Sequence, residues 1–149
     1  MTRILLALDQ SAGSAAAVRA TLAQFGNDHA AVHVLHVVDR PDTLPTAMMF
    51  AEGPTAADDV LACRASAFRR GELLLSKAAQ QLEAAGMKTS SEVVEGDVRR
   101  AILDCAARWH PDIIILGSHG RTGLKRALYG SVSKAVVRHA PCAVEVVSG

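Results

Sequence analysis

The chain has 149 residues, of which 50% are hydrophobic and 21% are charged, and its formal net charge at pH 7 is +1. This composition predicts a single globular domain over residues 1–149 with a core of its own. The near-zero charge and the 3% of aromatic residues argue against nucleic acid or a membrane surface as the principal partner.

Five short segments are predicted as strands, and the apolar run 113–116 is typical of a strand that is buried on both faces. They cover residues 4–8, 32–38, 88–94, 113–116 and 142–147. Helical patterns separate these runs, and such βαβ alternation predicts an α/β fold, a doubly wound, Rossmann-like, five-stranded parallel sheet with helices on both faces. Ligands of such folds bind at the carboxyl ends of the strands.

Four helical stretches are predicted between the strands. The first ends at Gly26, and the second covers residues 55–85, where Gly71 could bend it. The third starts at an Asp97 N-cap, and the fourth starts with Ser131 as its N-cap. The residues expected on the apolar faces are Val18, Leu22 and Phe25, then Leu61, Phe68, Leu75 and Leu82, then Val98, Ile102, Cys105 and Trp109, and last Val132, Val136 and Val137.

Residues 39–54 interrupt the alternation of strands and helices. They hold three of the five prolines and show no clean hydrophobic period. Loops of this length in a domain of this size are lids, binding loops, partly disordered segments or tolerated surface insertions, and the sequence leaves these alternatives open.

The segment 112–133 joins a predicted strand, a glycine-rich loop and a helix start. Its spacing is Gly117, two residues, Gly120, nine residues, then Gly130-Ser131. Glycines let the backbone approach an anion closely, and the free N–H groups of a helix start favour negative charge, so the segment predicts a phosphate site. The alternative is that the glycines only permit a tight left-handed loop.

At these residues the chain resembles the ATP-binding branch of the universal stress protein family, whose signature is Gly-x2-Gly-x9-Gly-Ser/Thr. Three further blocks resemble the family in the same order, at residues 4–11 (Ile-Leu-Leu-Ala-Leu-Asp-Gln-Ser), 35–39 (Leu-His-Val-Val-Asp) and 139–144 (His-Ala-Pro-Cys-Ala-Val). The resemblance therefore covers essentially the whole chain. We expect the strand order 3-2-1-4-5.

The resemblance implies a site for ATP, or for ADP or AMP, with Mg²⁺. The residues expected at this site are Ala7, Leu8, Asp9, Val37, Leu116, Gly117, Gly120, Arg121, Gly130, Ser131, Val132 and Ser133. Asp9 would contact the nucleotide, or Mg²⁺ indirectly through it, while the alternative for Asp9 is an N-cap of the first helix. Val37 would meet adenine through its backbone, although its residue type alone indicates an ordinary core valine.

Other polar residues give weaker indications. Arg121, Lys125 and Arg126 could attract a triphosphate or form a solvated loop surface. His119 has no identifiable partner for catalysis. The remaining histidines considered lack metal-ligand spacing and are expected to be structural: His33, His36, His110 and His139.

Three functions follow from these observations. The first is an ATP-binding signalling module of the stress response, whose nucleotide-dependent shape is read by a protein partner. The second is a slow ATPase or phosphotransferase, for which the sequence offers no assignable base and no catalytic residue. The third is a nucleotide-free interaction module of the same fold, against which the retained glycines argue.

Assembly and compartment are also predicted. The family is commonly dimeric through its last strand, and the apolar stretch 142–147 (Cys-Ala-Val-Glu-Val-Val) suits a sheet edge, so we expect a homodimer through this strand. The apolar run near Met1 is too short for a signal peptide, and no stretch reaches the roughly 20 apolar residues that span a bilayer. Three cysteines without Cys-x-x-Cys spacing indicate reduced, mostly buried thiols, so we expect a cytoplasmic protein.

Overall fold

A computed structural model describes residues 1–39, 54–118 and 130–149. The described strands are β1 Arg3–Ala7, β2 Ala31–Asp39, β3 Lys88–Gly96, β4 Ile113–Gly117 and β5 Ala143–Val147. The described helices are α1 Ala12–Phe25, α2 Pro54–Ala84, α3 Val98–Trp109 and α4 Ser131–His139. Residues 40–53, which make up most of the predicted loop 39–54, lie outside the described residues. Residues 119–129 of the glycine-rich loop, including His119, also lie outside them.

The five strands form one parallel sheet in the order β3-β2-β1-β4-β5. The predicted fold class and strand order are confirmed. The chain builds outward from β1 to β3, then crosses to β4 on the other side of β1 and ends at β5. The carboxyl ends of β1 and β4 therefore border the crevice where connections leave in opposite directions, which is the usual ligand position in such sheets.

Alternation along β1 explains why helices cover both faces. Ile4 and Leu6 point into a core with α1 and α2, while Leu5 points into a second core with α3 and α4. All three are fully buried. Successive side chains of a strand face opposite sides, so a run that is apolar at every position requires a cover on each side.

The seven-residue stripe on α2 is only half buried. Leu75 and Leu82 are 2% and 0% exposed, but Leu61 is 60% exposed, so its predicted place on the sheet is wrong. A helix of 31 residues is about 46 Å long, whereas a strand of nine residues spans about 30 Å. The first half of α2 therefore extends beyond the sheet that the second half covers.

Two other burial predictions are wrong. Val137 is 53% exposed, because it is turned by about 100° from the inward residue Val136 that precedes it on α4. Cys63 on α2 is exposed, whereas Cys105 is buried and Cys142 is half-buried, and all three are free thiols.

The helix ends test the predicted caps. Asp97 is confirmed as the N-cap of α3, where its side chain accepts a hydrogen bond from the Arg100 amide, and Gly26 is confirmed as the end of α1. Ser131 is not an N-cap: Gly130 occupies that position and offers no side-chain acceptor, while Ser131 is the first helical residue. The end of α4 nearest the glycine loop thus keeps its amides without a side-chain cap.

Gly71 lies where α2 packs against β2 and β3. A Cβ at Gly71 would stand 2.6 Å from His36 Cδ2 and 3.2 Å from Val93 Cγ1. The glycine therefore permits close helix–sheet packing at this position.

Candidate functional site

A cavity of about 320 Å³ opens at the carboxyl ends of β1 and β4. Ten of the twelve predicted site residues line it: Ala7, Leu8, Asp9, Val37, Leu116, Gly117, Gly130, Ser131, Val132 and Ser133. Gly120 and Arg121, with the cations Lys125 and Arg126, lie outside the residues that the structure describes. Five lining residues were not predicted for the site: Ser14, Leu35, Val98, Ile102 and Ser118.

The turn after β1 fixes Asp9 at the mouth of the cavity. Asp9 Oδ1 accepts a hydrogen bond from Ser14 Oγ at 2.8 Å and another from the Ser11 amide at 2.8 Å. Ser14 Oγ in turn accepts from the Asp9 amide at 2.6 Å. The alternative prediction, that Asp9 is the N-cap of α1, is wrong, because Ser11 holds that position. Asp9 is exposed, and within the described ranges its Oδ2 carries no hydrogen bond.

The start of α4 supplies backbone donors. The amides of Ser131, Val132 and Ser133 belong to the first turn, so they have no partner inside the helix, and no side chain of the described residues caps them. Ser133 is 1% exposed and Ser131 is exposed at the mouth. An uncapped helix start with its dipole aimed into a cavity favours an anion.

Ser118 is the most informative residue that the sequence reasoning missed. It is 5% exposed, and its Oγ is buried with no hydrogen-bond partner among the described residues. Its amide donates to the Val147 carbonyl at 2.8 Å, and its own carbonyl accepts from the Gly130 amide at 3.4 Å. A buried hydroxyl without a partner is costly, so a ligand oxygen in the cavity would relieve it. The signal in the sequence was its place directly after β4, between two motif glycines.

The two described motif glycines serve different purposes. A Cβ at Gly117 would lie 2.5 Å from the backbone carbon of Gly13, so Gly117 allows β4 and α1 to approach each other. A Cβ at Gly130 would meet only the Ser118 carbonyl oxygen, at 3.6 Å. Neither glycine has a positive φ, so the alternative of a left-handed loop does not apply to these two positions.

The opposite wall of the cavity is apolar. Leu35 and Val37 of β2 face Val98 and Ile102 of α3, and all four belong to the core between the sheet and this helix. Val98 and Ile102 were predicted only as part of a helix face. Their role at the cavity depends on α3 crossing the carboxyl end of β2, which the sequence does not reveal.

Two histidines predicted to be structural have partners in the fold. His36 Nδ1 lies 2.8 Å from the Leu8 carbonyl oxygen, so this ring supports the turn that carries Asp9. His33 Nδ1 lies 2.7 Å from Ser90 Oγ, and His33 Nε2 lies 3.3 Å from Glu92 Oε1. His36 therefore supports a residue that lines the cavity, Leu8, whereas His33 lies nearer the amino end of β2.

The described helices include none that is both long enough and apolar enough to cross a membrane.

Comparison with known proteins identifies the family. A family model described as the universal stress protein family matches residues 1–148. A universal stress protein of Methanocaldococcus jannaschii is 38% identical over 77 residues, which cover 52% of this chain and 45% of that relative. The chain thus spans about half the length of the first curated relatives that it matches.

Solved structures agree with this assignment. The hypothetical protein MJ0577 of Methanocaldococcus jannaschii has a TM-score of 0.82 and 26% identity, over 99% of this chain and 96% of that one. A universal stress protein family protein from Arabidopsis thaliana with AMP bound has a TM-score of 0.68 and 21% identity, over 99% and 92% of the two chains, and shows the shared fold. The sheet order, the extent of the family match and these likenesses agree, and the chain belongs to the universal stress protein family.

Proposed function

We propose that this universal stress protein is an adenine-nucleotide-binding module of a stress response, with ATP and Mg²⁺ as its ligand in the cavity between β1 and β4. The observation that carries the proposal is the buried Ser118 Oγ, which has no partner among the described residues and lies on the same cavity as the start of α4, which no described side chain caps. A hydroxyl donor and free helix amides are the groups that phosphate oxygens require.

The two walls of the cavity suit the two ends of a nucleotide. The polar side, formed by Ser118 and the start of α4, would take the phosphates. The apolar side, formed by Leu35, Val37 and α3, would take adenine, with the Val37 backbone as its hydrogen-bonding edge.

Asp9 stands at the mouth of the cavity, with Oδ1 engaged by the turn and Oδ2 turned to no partner within the described ranges. A carboxylate oxygen in that position can accept from a ribose hydroxyl or bind the hydration shell of a phosphate-bound Mg²⁺. The AMP-bound Arabidopsis thaliana relative adds support at the level of the fold, since it has the same architecture.

The first experiment is to denature freshly purified protein and chromatograph the released small molecules for adenine absorbance. We expect ATP, ADP or AMP to be released, or Mg·ATP to bind in a calorimetric titration of nucleotide-free protein. No released nucleotide together with no heat and no thermal shift on titration would contradict the proposal and favour the nucleotide-free interaction module.

Ser118→Ala is the variant that tests the phosphate side. Removing a hydroxyl that has no partner within the described ranges should leave the Tm near that of the wild type. The nucleotide affinity should fall by about tenfold, as for one lost hydrogen bond to a charged group. Ser76→Ala, at an exposed position of α2, is the matched control and should change neither quantity. An unchanged affinity in Ser118→Ala would contradict this placement of the phosphates.

We also propose one domain, a cytoplasmic location and a homodimer through β5. Within the described residues, β5 pairs only with β4 and ends the sheet, so its outer edge offers backbone groups to a second copy. Light scattering should give the mass of two chains, and a mass of one chain at working concentration would contradict the dimer.

A further inference from the structure

Three side chains with metal-binding atoms converge at the end of the α3-facing core that lies away from the cavity. They are His33 of β2, Glu92 of β3 and Cys105 of α3. Their ligand atoms, an imidazole nitrogen, a carboxylate oxygen and a thiol sulfur, all lie within 4.8 Å of one another. Glu92 is 59 positions from His33 and 13 from Cys105, so only the fold brings the three together.

The separations are close to those around a tetrahedral metal ion. Glu92 Oε1 lies 3.3 Å from His33 Nε2 and 3.4 Å from Cys105 Sγ. Bonds of about 2.0–2.3 Å at tetrahedral angles place neighbouring N, O and S ligands about 3.3–3.6 Å apart. The remaining pair, Nε2 and Sγ, would need to approach by at most about 1.5 Å from the 4.8 Å limit.

The surroundings orient His33 as a ligand through Nε2. Without an ion, Nε2 carries the ring proton, because it lies 3.3 Å from the Glu92 carboxylate oxygen, which can only accept. When Nε2 binds the ion, the ring proton moves to Nδ1, where Ser90 Oγ at 2.7 Å is in position to accept its hydrogen bond. The ring is also stacked on Trp109, with centroids 5.4 Å apart and planes at 26°. The imidazole is therefore held in one orientation before any ion arrives.

Burial protects the sulfur while leaving one approach from solvent. Cys105 is 1% exposed, and the side chains of His33 and Glu92 are 12% and 29% exposed. On the solvent side, Arg108 Nη2 lies 3.0 Å from Glu92 Oε1. The Arg108 side chain is 63% exposed, so it can turn into water and free the carboxylate.

We propose that His33, Glu92 and Cys105 form a Zn²⁺ site, with a water molecule as the fourth ligand. A mixed nitrogen, oxygen and sulfur donor set suits Zn²⁺ better than the hard cations Mg²⁺ and Ca²⁺, which prefer oxygen alone. As the zinc–sulfur bond forms, the Cys105 thiol releases its proton to solvent, while the neutral imidazole and the carboxylate each donate an electron pair without losing a proton. No oxidation state changes.

Charge balance supports the same assignment. One thiolate and one carboxylate neutralise the divalent ion, so the half-buried site carries no net charge once Arg108 has turned away. Without the ion, the Cys105 thiol donates a hydrogen bond to Glu92.

The test uses Co²⁺ as a spectroscopic substitute for Zn²⁺ in reduced, full-length protein. The host is the double variant Cys63→Ser/Cys142→Ser, in which any thiolate signal must come from Cys105. We expect one Co²⁺ per chain, a near-ultraviolet thiolate-to-cobalt charge-transfer band, the visible bands of tetrahedral cobalt, and displacement of all of them by Zn²⁺. A folded host protein that shows no charge-transfer band would overturn the proposal.

Three substitutions in this host separate a metal site from a purely structural cluster. Cys105→Ser should remove the charge-transfer band, and His33→Gln should weaken Co²⁺ binding by more than about 100-fold, since it deletes a direct ligand. Arg108→Gln should instead strengthen binding, because it removes the cation that competes for Glu92. His33→Gln decides the matter if Cys105→Ser does not fold. Unchanged affinity in His33→Gln, or weaker binding in Arg108→Gln, would refute the site.

Discussion

Replacing Gly117 by alanine should destabilise the protein, because the new methyl group would meet backbone atoms. The added Cβ would lie 2.5 Å from the Gly13 carbonyl carbon and 2.8 Å from its Cα and oxygen. These distances are about 1 Å short of ordinary contact between carbon atoms. Since Gly13 is buried in the first turn of α1, the clash can be relieved only by moving β4 and α1 apart.

The expected cost is that of overpacking a well-packed core, about 1–3 kcal/mol. For a chain of this size the Tm should fall by about 3–10 °C, measured by circular dichroism or calorimetry. Gly130→Ala is the matched control, because its Cβ would face the Ser118 oxygen at 3.6 Å and its φ is −61°. This control should lose less than about 1 kcal/mol, owing to the poorer N-cap preference of alanine.

The packing at Gly117 is also coupled to the proposed ligand site. A shift of α1 would disturb the Ser14–Asp9 hydrogen bonds, so Gly117→Ala should weaken nucleotide binding as well as stability. A wild-type Tm and denaturant midpoint in Gly117→Ala would refute the steric argument. Equal destabilisation by Gly130→Ala would refute the contrast between the two glycines.

Three further predictions concern α1, α2 and α3. Ser11→Ala should lower the free energy of unfolding by about 1 kcal/mol in denaturant titrations, because it removes the N-cap of α1, and no loss would contradict that assignment. Gly71→Ala should lower the Tm and weaken nucleotide binding, because its Cβ would press His36 at 2.6 Å; a variant that loses neither would show that the ring can move freely. The hydrogen bond from the Arg100 amide lowers the pKa of Asp97 in the native state below its unfolded value of 3.8. The ionised carboxylate therefore stabilises the native state at pH values above 3.8, and this contribution is lost as the pH falls through the native-state pKa. Asp97→Asn keeps a good N-cap without the charge, so its free energy of unfolding should change less steeply with pH below 3.8 than that of the wild type. Equal pH dependence of the free energy of unfolding in the two proteins would contradict this role of Asp97.

The sheet could be predicted from sequence because its information is local. Residues 113–116 are apolar at every position, which only a strand covered on both faces requires, and β4 is such a strand. Asp97 also predicts the start of α3 from local sequence, since the side chain of an N-cap residue binds only backbone amides that follow it closely in the chain. By contrast, the exposure of Leu61 depends on where the sheet ends beneath α2, and no pattern within that helix encodes this.

Some residues of the candidate site could likewise be predicted from local sequence, and others could not. Residues next to the motif glycines could be placed at the cavity, because the motif itself joins a strand end to a helix start. Ser14 and Ile102 could not, because their positions depend on how α1 and α3 cross the strand ends. The cluster of His33, Glu92 and Cys105 is the extreme case, since its three members come from separate elements and show no spacing that a sequence motif could carry.

His36 connects the long helix to the cavity floor. Its Nδ1–H donates a hydrogen bond to the Leu8 carbonyl oxygen, and its Cδ2 is the nearest heavy atom to a Cβ placed at Gly71. The Leu8 amide donates to the Leu35 carbonyl at 2.8 Å, so the end of β1 is held from both its amide and its carbonyl side. Because Leu8 precedes Asp9 and lines the cavity, a change in the distance between α2 and the sheet must alter the geometry of the site. Helix α2, whose described residues do not line the cavity, is therefore connected to the cavity through Gly71 and His36.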